Sequence, residues 1–298
     1  MKTSLVFSAI RPSHWVKNFL VFLAPLLTFQ LNFLAWKAAA IAFIVFCLIS
    51  SSIYLFNDVI DYKLDKKHHK KKFRAVASGK LKRSTALFVS FLFFLLSITL
   101  SYKINIFLLS IVFFYYVIQI LYCLSFKNKP ILDLFCISSG FLLRSIAGGV
   151  AGGIFISTWF ILTIGLLSCF LALEKRKAEL RNYENTGILT RKVLKKYSIP
   201  FLLRLENTVS SSAFITYSLW ASGPSLNGAS TNWMLLTVPL VLLGISRYQL
   251  ISDPSYKKYL GNEKIDCENP VNIFIQDRGM KLILIFWILF VFLISILS

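Results

Sequence analysis

Runs of about 20 predominantly apolar residues recur along the whole chain, and this recurrence removes most folds from consideration before any motif is read. A backbone crossing hydrocarbon must satisfy its polar groups within its own segment, so each run is expected to be a helix. Hydrophobic residues make up 56% of the 298 and charged residues only 15%, which excludes a soluble globule. The pattern predicts an all-α polytopic membrane protein with nine spans, near 17–34, 37–56, 84–101, 104–124, 131–152, 155–173, 200–221, 231–250 and 280–297. Pro25 interrupts the first, and Gly140, Arg144, Gly148 and Gly149 interrupt the fifth. The start does not read as a cleavable signal peptide, because Arg11, His14 and Lys17 break it and no small-residue cleavage site follows. Residues 1–298 are therefore expected to form a single transmembrane domain, with functional loops at 57–83 and 174–199.

The charges are one-sided. Of the 33 Lys and Arg residues, all but Lys37, Lys103, Arg144 and Arg204 fall at the N-terminus or on alternate connections: 57–83, 122–133, 174–199 and the last loop, counted from Arg247 through Lys281. The positive-inside rule then puts the N-terminus and the long loops in the cytoplasm and the C-terminus outside, as an odd span count requires. The expected location is a bacterial-type plasma membrane. A net charge of +20 could suggest nucleic acid, but in so apolar a chain it points instead to anionic headgroups and phosphorylated substrates, with no nucleic acid partner. Cys47, Cys123, Cys136 and Cys169 lie in apolar runs and Cys267 alone in a loop, a scatter that fits packing rather than a metal site or a disulfide framework. His14, His68 and His69 show no ligand spacing and read as interfacial.

Polar chemistry concentrates where the apolar run 41–56 meets water. The segment Asn57-Asp58-Val59-Ile60-Asp61-Tyr62-Lys63-Leu64-Asp65 follows, and on a helix Asn57, Asp61, Asp65 and Asp58 fall at about 0°, 40°, 80° and 100°, within one quadrant. Two carboxylates about 4 Å apart repel by roughly 4 kcal/mol at an interfacial dielectric, so three on one face call for a cation. Hard oxygens in that number suit Mg²⁺ shared with a phosphate ligand. The plainer alternative is a solvated face neutralised by Lys66, Lys67, Lys70, Lys71 and Lys72. Arg144 is conspicuous in a different way. An arginine within an apolar helix is costly unless it faces a polar cavity or a partner, so it either binds phosphate or pairs with Asp133.

The acidic segment resembles the first Asp-rich motif of the UbiA superfamily of intramembrane prenyltransferases. Further segments look like one subfamily, the decaprenyl-phosphate phosphoribosyltransferases. These are Arg11-Pro12-Ser13-His14-Trp15-Val16-Lys17-Asn18 (RPxxWxKN), Phe73-Arg74-Ala75-Val76-Ala77-Ser78-Gly79 (FRPxASG), and Leu121-Tyr122 through Lys127 with Asp133 downstream. Phe141 to Gly149 is similar to their FxLRxxAG helix, Lys175-Arg176-Lys177-Ala178-Glu179-Leu180 to their KRxxEL segment, and Pro270 with Asp277-Arg278 to their closing P…DR. Ala75 stands where that subfamily has proline, and Glu174 where a smaller residue is expected.

The resemblance implies a nine-helix transferase bundle that moves 5-phosphoribosyl from phosphoribosyl diphosphate (PRPP) to a polyprenyl phosphate and releases pyrophosphate. The donor carries about five negative charges and the acceptor about two, so a basic site with Mg²⁺ is expected. Carried over, Asp58, Asp61 and Asp65 are the catalytic metal ligands and Asn57 orients the first of them. Lys17, Arg74, Lys127, Lys175 and Arg176 are candidates for donor phosphates; for Lys175 and Arg176 the alternative is helix-end snorkelling. Glu179 is assigned to a ribose hydroxyl or a second Mg²⁺, as is Asp133, which could otherwise pair with Lys127 or Arg144. A homo-oligomer is compatible with all of this. Two competing readings are a prenyltransferase acting on an aromatic acceptor, disfavoured because Lys175-Arg176-x-x-Glu179 replaces a second Asp-rich pair, and a non-enzymatic lipid transporter, disfavoured because no repeat is evident.

Overall fold

The computed structural model describes residues 2–29, 32–67, 71–189, 191–259 and 270–297. His68, His69, Lys70, Lys264 and Cys267 lie outside the described residues. The described chain is built from helices: α1 (Lys2–Ala9), α2 (Leu23–Leu27), α3 (Phe33–Ile60), α4 (Tyr62–Lys67), α5 (Arg83–Ile104), α6 (Ile106–Leu124), α7 (Leu132–Ala151), α8 (Thr158–Thr186), α9 (Ile199–Ala221), α10 (Val238–Ser252), α11 (Pro254–Tyr259), α12 (Pro270–Gln276) and α13 (Arg278–Leu297). Short 3₁₀ segments connect several of them, the longest being Pro12–Phe22.

Among the described residues, seven helices are long and apolar enough to cross a membrane, counting Asn232–Ser252 as one. The chain is a multi-pass membrane protein. One of the nine expected spans takes another form: the first is a 3₁₀ run followed by the five-residue α2. The seventh is a continuous helix over the expected residues, the 23-residue α9, but with Arg204 and Glu206 in its first turns it is not among the seven. The fifth, by contrast, is an uninterrupted helix despite its glycines. Large side chains such as Phe88, Phe91, Phe107, Phe114 and Phe292 stay exposed on the spans, where acyl chains rather than protein meet them.

The chain divides into two compact units. The first comprises residues 1–26, 30–127 and 143–155. Its centre is α3, whose Ala39, Ala42, Val45, Phe46 and Ile49 are fully buried. Small residues let α5 approach α3 closely: Ser52 Oγ donates to the Ser90 carbonyl at 2.7 Å and Ser90 Oγ to the Ser52 carbonyl at 2.8 Å. The 3₁₀ run Pro12–Phe22 lies against the second half of α7 at Gly148, where a Cβ would stand 1.7 Å from the Val21 carbonyl oxygen. Gly148 is therefore needed for close backbone approach rather than for a break in the helix, and the fifth span runs through it.

The second unit comprises residues 27–29, 128–142 and 156–298. Its principal packing is of α8 on α9, with a core of Leu134, Ala172, Leu173, Leu180, Leu194 and Leu202. Helix α13 is started by Asp277, whose Oδ1 accepts from the Met280 N–H at 2.6 Å. Arg247 of α10 grips the same carboxylate with Nε at 3.1 Å and Nη2 at 2.9 Å. The Asp-Arg pair of the closing motif thus begins with a helix cap that doubles as an ion-pair acceptor.

Two outcomes follow from these contacts. Gly148→Ala forces a Cβ against an unyielding carbonyl and is expected to cost at least 1–3 kcal/mol, about the cost of overpacking, while Gly152→Ala meets Ala35 only at 3.2 Å and costs less. Thermal unfolding in detergent gives the order. At Asp277, burial raises the carboxyl pKa, but the bonds from Arg247 and Met280 outweigh it and hold the value below the ordinary carboxylate range. A depressed folded value means the stabilisation is present above the unfolded pKa of about 3.9 and is lost as pH falls through the folded one. Asp277→Asn should therefore cost about 1–2 kcal/mol at pH 7, with the gap to the parent chain closing below about pH 4.

Candidate active site

Helix α3 ends at Ile60 and α4 starts at Tyr62, so the acidic segment is helical apart from one irregular residue, Asp61. The Asp61 N–H still bonds the Asn57 carbonyl at 2.9 Å and the Asp65 N–H the Asp61 carbonyl at 2.8 Å, which preserves the expected clustering of Asp58 with Asp65. Asp58 and Asp65 are buried and Asp61 is partly exposed.

Each carboxylate has a base of its own unit. Arg74 Nη1 bonds Asp65 Oδ2 at 2.7 Å and reaches Asp58 Oδ1 at 3.3 Å. Arg11 Nη2 donates to the same Asp58 Oδ1. Lys127 Nζ bonds Asp61 Oδ1 at 2.5 Å. Local structure sets these positions. Arg74 leads a compact loop in which Ser78 N bonds the Arg74 carbonyl at 2.8 Å and Leu81 N the Ala75 carbonyl at 2.9 Å, with Gly79 taking a positive φ of 77° at the turn. Ala75 and Val76 anchor that loop by packing with Leu55, Leu81 and Ala86. Proline is thus unnecessary at position 75: burial already holds the loop. Lys127 sits on the 3₁₀ turn Phe126–Asn128 that follows α6.

A second polar centre of the same unit surrounds Arg144. Its Nε donates to Asn18 Oδ1 at 2.7 Å and its Nη2 to the Tyr115 hydroxyl at 2.7 Å, while the guanidinium carbon lies 4.8 Å from the centre of the Tyr115 ring. Asn18 is fixed in turn by Cys47, its Nδ2 lying 3.3 Å from the sulfur. Lys17 precedes Asn18 on the 3₁₀ run, largely enclosed, within electrostatic reach of Arg144 and Arg11. The Asn18 and Tyr115 oxygens that receive the guanidinium are both uncharged.

In the other unit, Arg176 is fully buried. It bonds Asp133 Oδ2 through Nε at 2.6 Å and Glu179 through Nη1. The Tyr197 hydroxyl donates to Asp133 Oδ1 and accepts from the Ile131 N–H at 2.8 Å. Burial, then the bond to Asp133, pushes the Tyr197 hydroxyl well above its ordinary pKa, so it remains a proton donor. Arg191 stands 3.6 Å from Glu179, and half-buried Lys175 lies within its electrostatic reach. Glu174, the unexpected residue before the Lys-Arg pair, belongs to a separate buried network in which Lys177 bridges Glu174 and Glu206, and Gln249 donates to Glu206 at 3.0 Å.

The sequence-predicted residues thus form three groups: Asp58, Asp61, Asp65, Arg74 and Lys127, with Asn57 one turn before Asp61; Lys17 and Arg144; and Asp133, Lys175, Arg176 and Glu179. Arg11, Asn18, Tyr115, Tyr197 and Arg191 were not among them. Arg11 and Asn18 stood inside a quoted motif. Tyr115 and Tyr197 carry no mark in their apolar or basic surroundings that would have singled them out. Among the described residues, no three acidic, His or Cys side chains stand close enough to hold a metal ion, because each aspartate is drawn to its base. The donor set itself, three carboxylates within two helical turns, has the hard oxygens that Mg²⁺ takes.

The profile of the UbiA prenyltransferase family matches residues 18–259. The decaprenyl-phosphate phosphoribosyltransferase of Mycolicibacterium smegmatis is 34% identical over 94% of this chain and 89% of its own length. The enzyme of that name from Corynebacterium glutamicum is 34% identical over 94% of this chain and 83% of its own. Among solved structures, a UbiA homolog from Archaeoglobus fulgidus bound to GPP and Mg²⁺ superposes with a TM-score of 0.72 at 15% identity, covering 98% of this chain and 99% of that one. With a family profile spanning most of its length and relatives alike from end to end, the chain belongs to the UbiA prenyltransferase family.

Proposed function

We propose that this protein transfers 5-phosphoribosyl from PRPP to a polyprenyl phosphate, with release of pyrophosphate and with Mg²⁺ as cofactor. The observation that carries this reading is the 34% identity, over nearly the whole chain, to enzymes named for decaprenyl-phosphate phosphoribosyl transfer. A phosphate oxygen of the acceptor forms the new bond to the anomeric carbon, and the bond from that carbon to the diphosphate oxygen breaks, its electron pair leaving with pyrophosphate. No side chain has to remove a proton, since the acceptor phosphate is already ionised.

Asp58, Asp61 and Asp65 are the residues that would hold the metal, with Asn57 orienting the first carboxylate. When bound, Mg²⁺ supplies charge neutralisation for the departing diphosphate. Arg74 and Lys127, now on carboxylates, are suited to move to phosphate oxygens, the arginine by bidentate contact. Lys17 and Arg144 form a cationic centre suited to a further phosphate, with Asn18 and Tyr115 fixing the guanidinium. Glu179 is suited to a ribose hydroxyl, and Asp133, Tyr197 and Arg176 hold it in place, with Lys175 adding positive charge beside it. The single transmembrane domain, its two functional loops at 57–83 and 174–199, a cytoplasmic active face and N-terminus, an external C-terminus and a plasma-membrane location complete the proposal. They rest on charge sidedness alone. The acceptor tail enters from the bilayer, and neither nucleic acid nor a fixed oligomeric state is part of the reading.

Membranes containing the chain, given labelled PRPP and polyprenyl phosphate, should pass label into the lipid extract. Chelation should stop this and added Mg²⁺ restore it. Turnover of a prenyl diphosphate onto an aromatic acceptor, without lipid labelling, would replace the proposal with the prenyltransferase reading. Asp61→Asn should lower turnover by at least 10²-fold, on the order of losing one transition-state charge contact, while the protein still elutes as a folded species in detergent. A parent-like rate would remove Asp61 from the site.

A further inference from the structure

The backbone around Arg11 aims its side chain at Asp58. Arg11 has φ 54° and ψ 65°, in the left-handed region, immediately before Pro12. A non-glycine residue persists there only where its surroundings over-determine it, and such residues gather at functional sites. Here Ser51 on α3 touches the segment on both sides: its Oγ accepts from Trp15 Nε1 at 3.1 Å, and its single hydroxyl hydrogen is shared between the Ile10 carbonyl at 3.1 Å and the Cys47 carbonyl of its own helix at 2.7 Å. One turn on, the Tyr54 ring centre lies 5.0 Å from the Arg11 guanidinium carbon, and one turn further Asp58 accepts its Nη2 hydrogen bond. Ser51, Tyr54 and Asp58 recur at helical spacing, so one face of α3 carries the Arg11 side chain to the first carboxylate.

Charge arithmetic shows what this contact does. Asp58, Asp61 and Asp65 are matched one for one by Arg11, Arg74 and Lys127. A free divalent ion entering the carboxylates would add two positive charges beside three bases that have just lost their partners. A metal arriving with a diphosphate brings anionic oxygens to which those bases can turn.

We propose that Arg11 is an exchangeable counter-ion: it occupies Asp58 until a diphosphate arrives, then moves to the diphosphate, so that the acidic segment takes a metal–diphosphate complex in preference to the free ion. This rests on the reading that the three aspartates hold the metal. It adds a residue to the binding machinery and an order to the loading. Arg11 is a better candidate for this part than Arg74, because Arg74 bridges two carboxylates while Arg11 touches Asp58 alone among the three.

The test uses the full chain in detergent with Mn²⁺ as the metal probe, bound ion being read by electron paramagnetic resonance with and without inorganic diphosphate. The parent chain should bind Mn²⁺ at least about tenfold more tightly with diphosphate present. Arg11→Ala should tighten Mn²⁺ binding about tenfold without diphosphate and weaken it by a similar factor with diphosphate, so that the preference collapses. Arg11→Lys should retain part of the preference. Should Arg11→Ala fail to fold by thermal unfolding, Arg11→Gln, which keeps most of the side chain and removes the charge, takes the same measurement. Unchanged or weaker Mn²⁺ binding without diphosphate in the neutral variant overturns the proposal. Asp61→Asn separates the two levels. Loss of Mn²⁺ binding there, with an intact preference in the Arg11 variant, removes only the role of Arg11. Mn²⁺–diphosphate binding that survives Asp61→Asn removes the metal reading itself.

Discussion

Three carboxylates at the end of one membrane helix, neutralised by three bases from elsewhere in the same unit, set the terms for the rest of this structure. Unpaired, Asp58 and Asp65 could not stay buried, because desolvated carboxylates of like charge would take up protons or reach water. The bases come from far apart in sequence: Arg11 from the residue just before the N-terminal 3₁₀ run, Arg74 from the loop after α4, and Lys127 from the turn after α6. Much of the packing in the first unit delivers those three side chains. The Ser51 contacts hold the Arg11 segment on α3. The small cluster of Ala75, Val76, Leu55 and Leu81 holds the Arg74 loop. The reciprocal serine bonds join α3 to α5, the helix that follows that loop.

The second unit reaches a similar electrostatic balance with a different geometry. Arg176 is entirely enclosed, and its partners Asp133 and Glu179 come from α7 and α8, with Tyr197 completing Asp133. A buried guanidinium on two carboxylates, one of them also bonded by a phenol, is firmly held, since losing either carboxylate leaves a buried charge poorly compensated. Such rigidity suits the holding of Glu179 more than direct capture of a mobile ligand. Beside it, the Lys177 network explains Glu174. A carboxylate next to the Lys-Arg pair is tolerated because Lys177 is shared between it and Glu206, tying α8 to α9. The departure at 174 is compensated by Lys177, three positions later.

Legibility varied by element in a way that physics accounts for. Helices such as α5, α6 and α13 were plain, because hydrocarbon permits almost no other backbone and a run of apolar side chains announces it. The first span was misjudged in form. Apolar content suggested a spanning helix near 17–34, whereas the chain winds as a 3₁₀ run over Pro12–Phe22, with Val21 in close approach to Gly148. Gly148 of α7 looked like an interruption and proved to be a contact point. At the site, the clustering of Asp58 with Asp65 could be read from helical spacing, whereas Arg11 could not be assigned to Asp58, 47 residues away, without the fold.

Taken by itself, the amino-acid sequence determined the membrane class, the helical backbone, the quadrant shared by the acids and, through ordered motifs, the family. Those properties depend on local periodicity, composition and identity, which a linear string carries in full. Tertiary structure alone decided which base neutralises which acid, that Arg144 is held by Asn18 and Tyr115, and that Arg176 is enclosed by Asp133 and Glu179. Coulomb energy depends on separation in space, and with 33 basic side chains against 13 acids the string allows many pairings of similar merit. The fold selects among them by bringing a few within 3 Å.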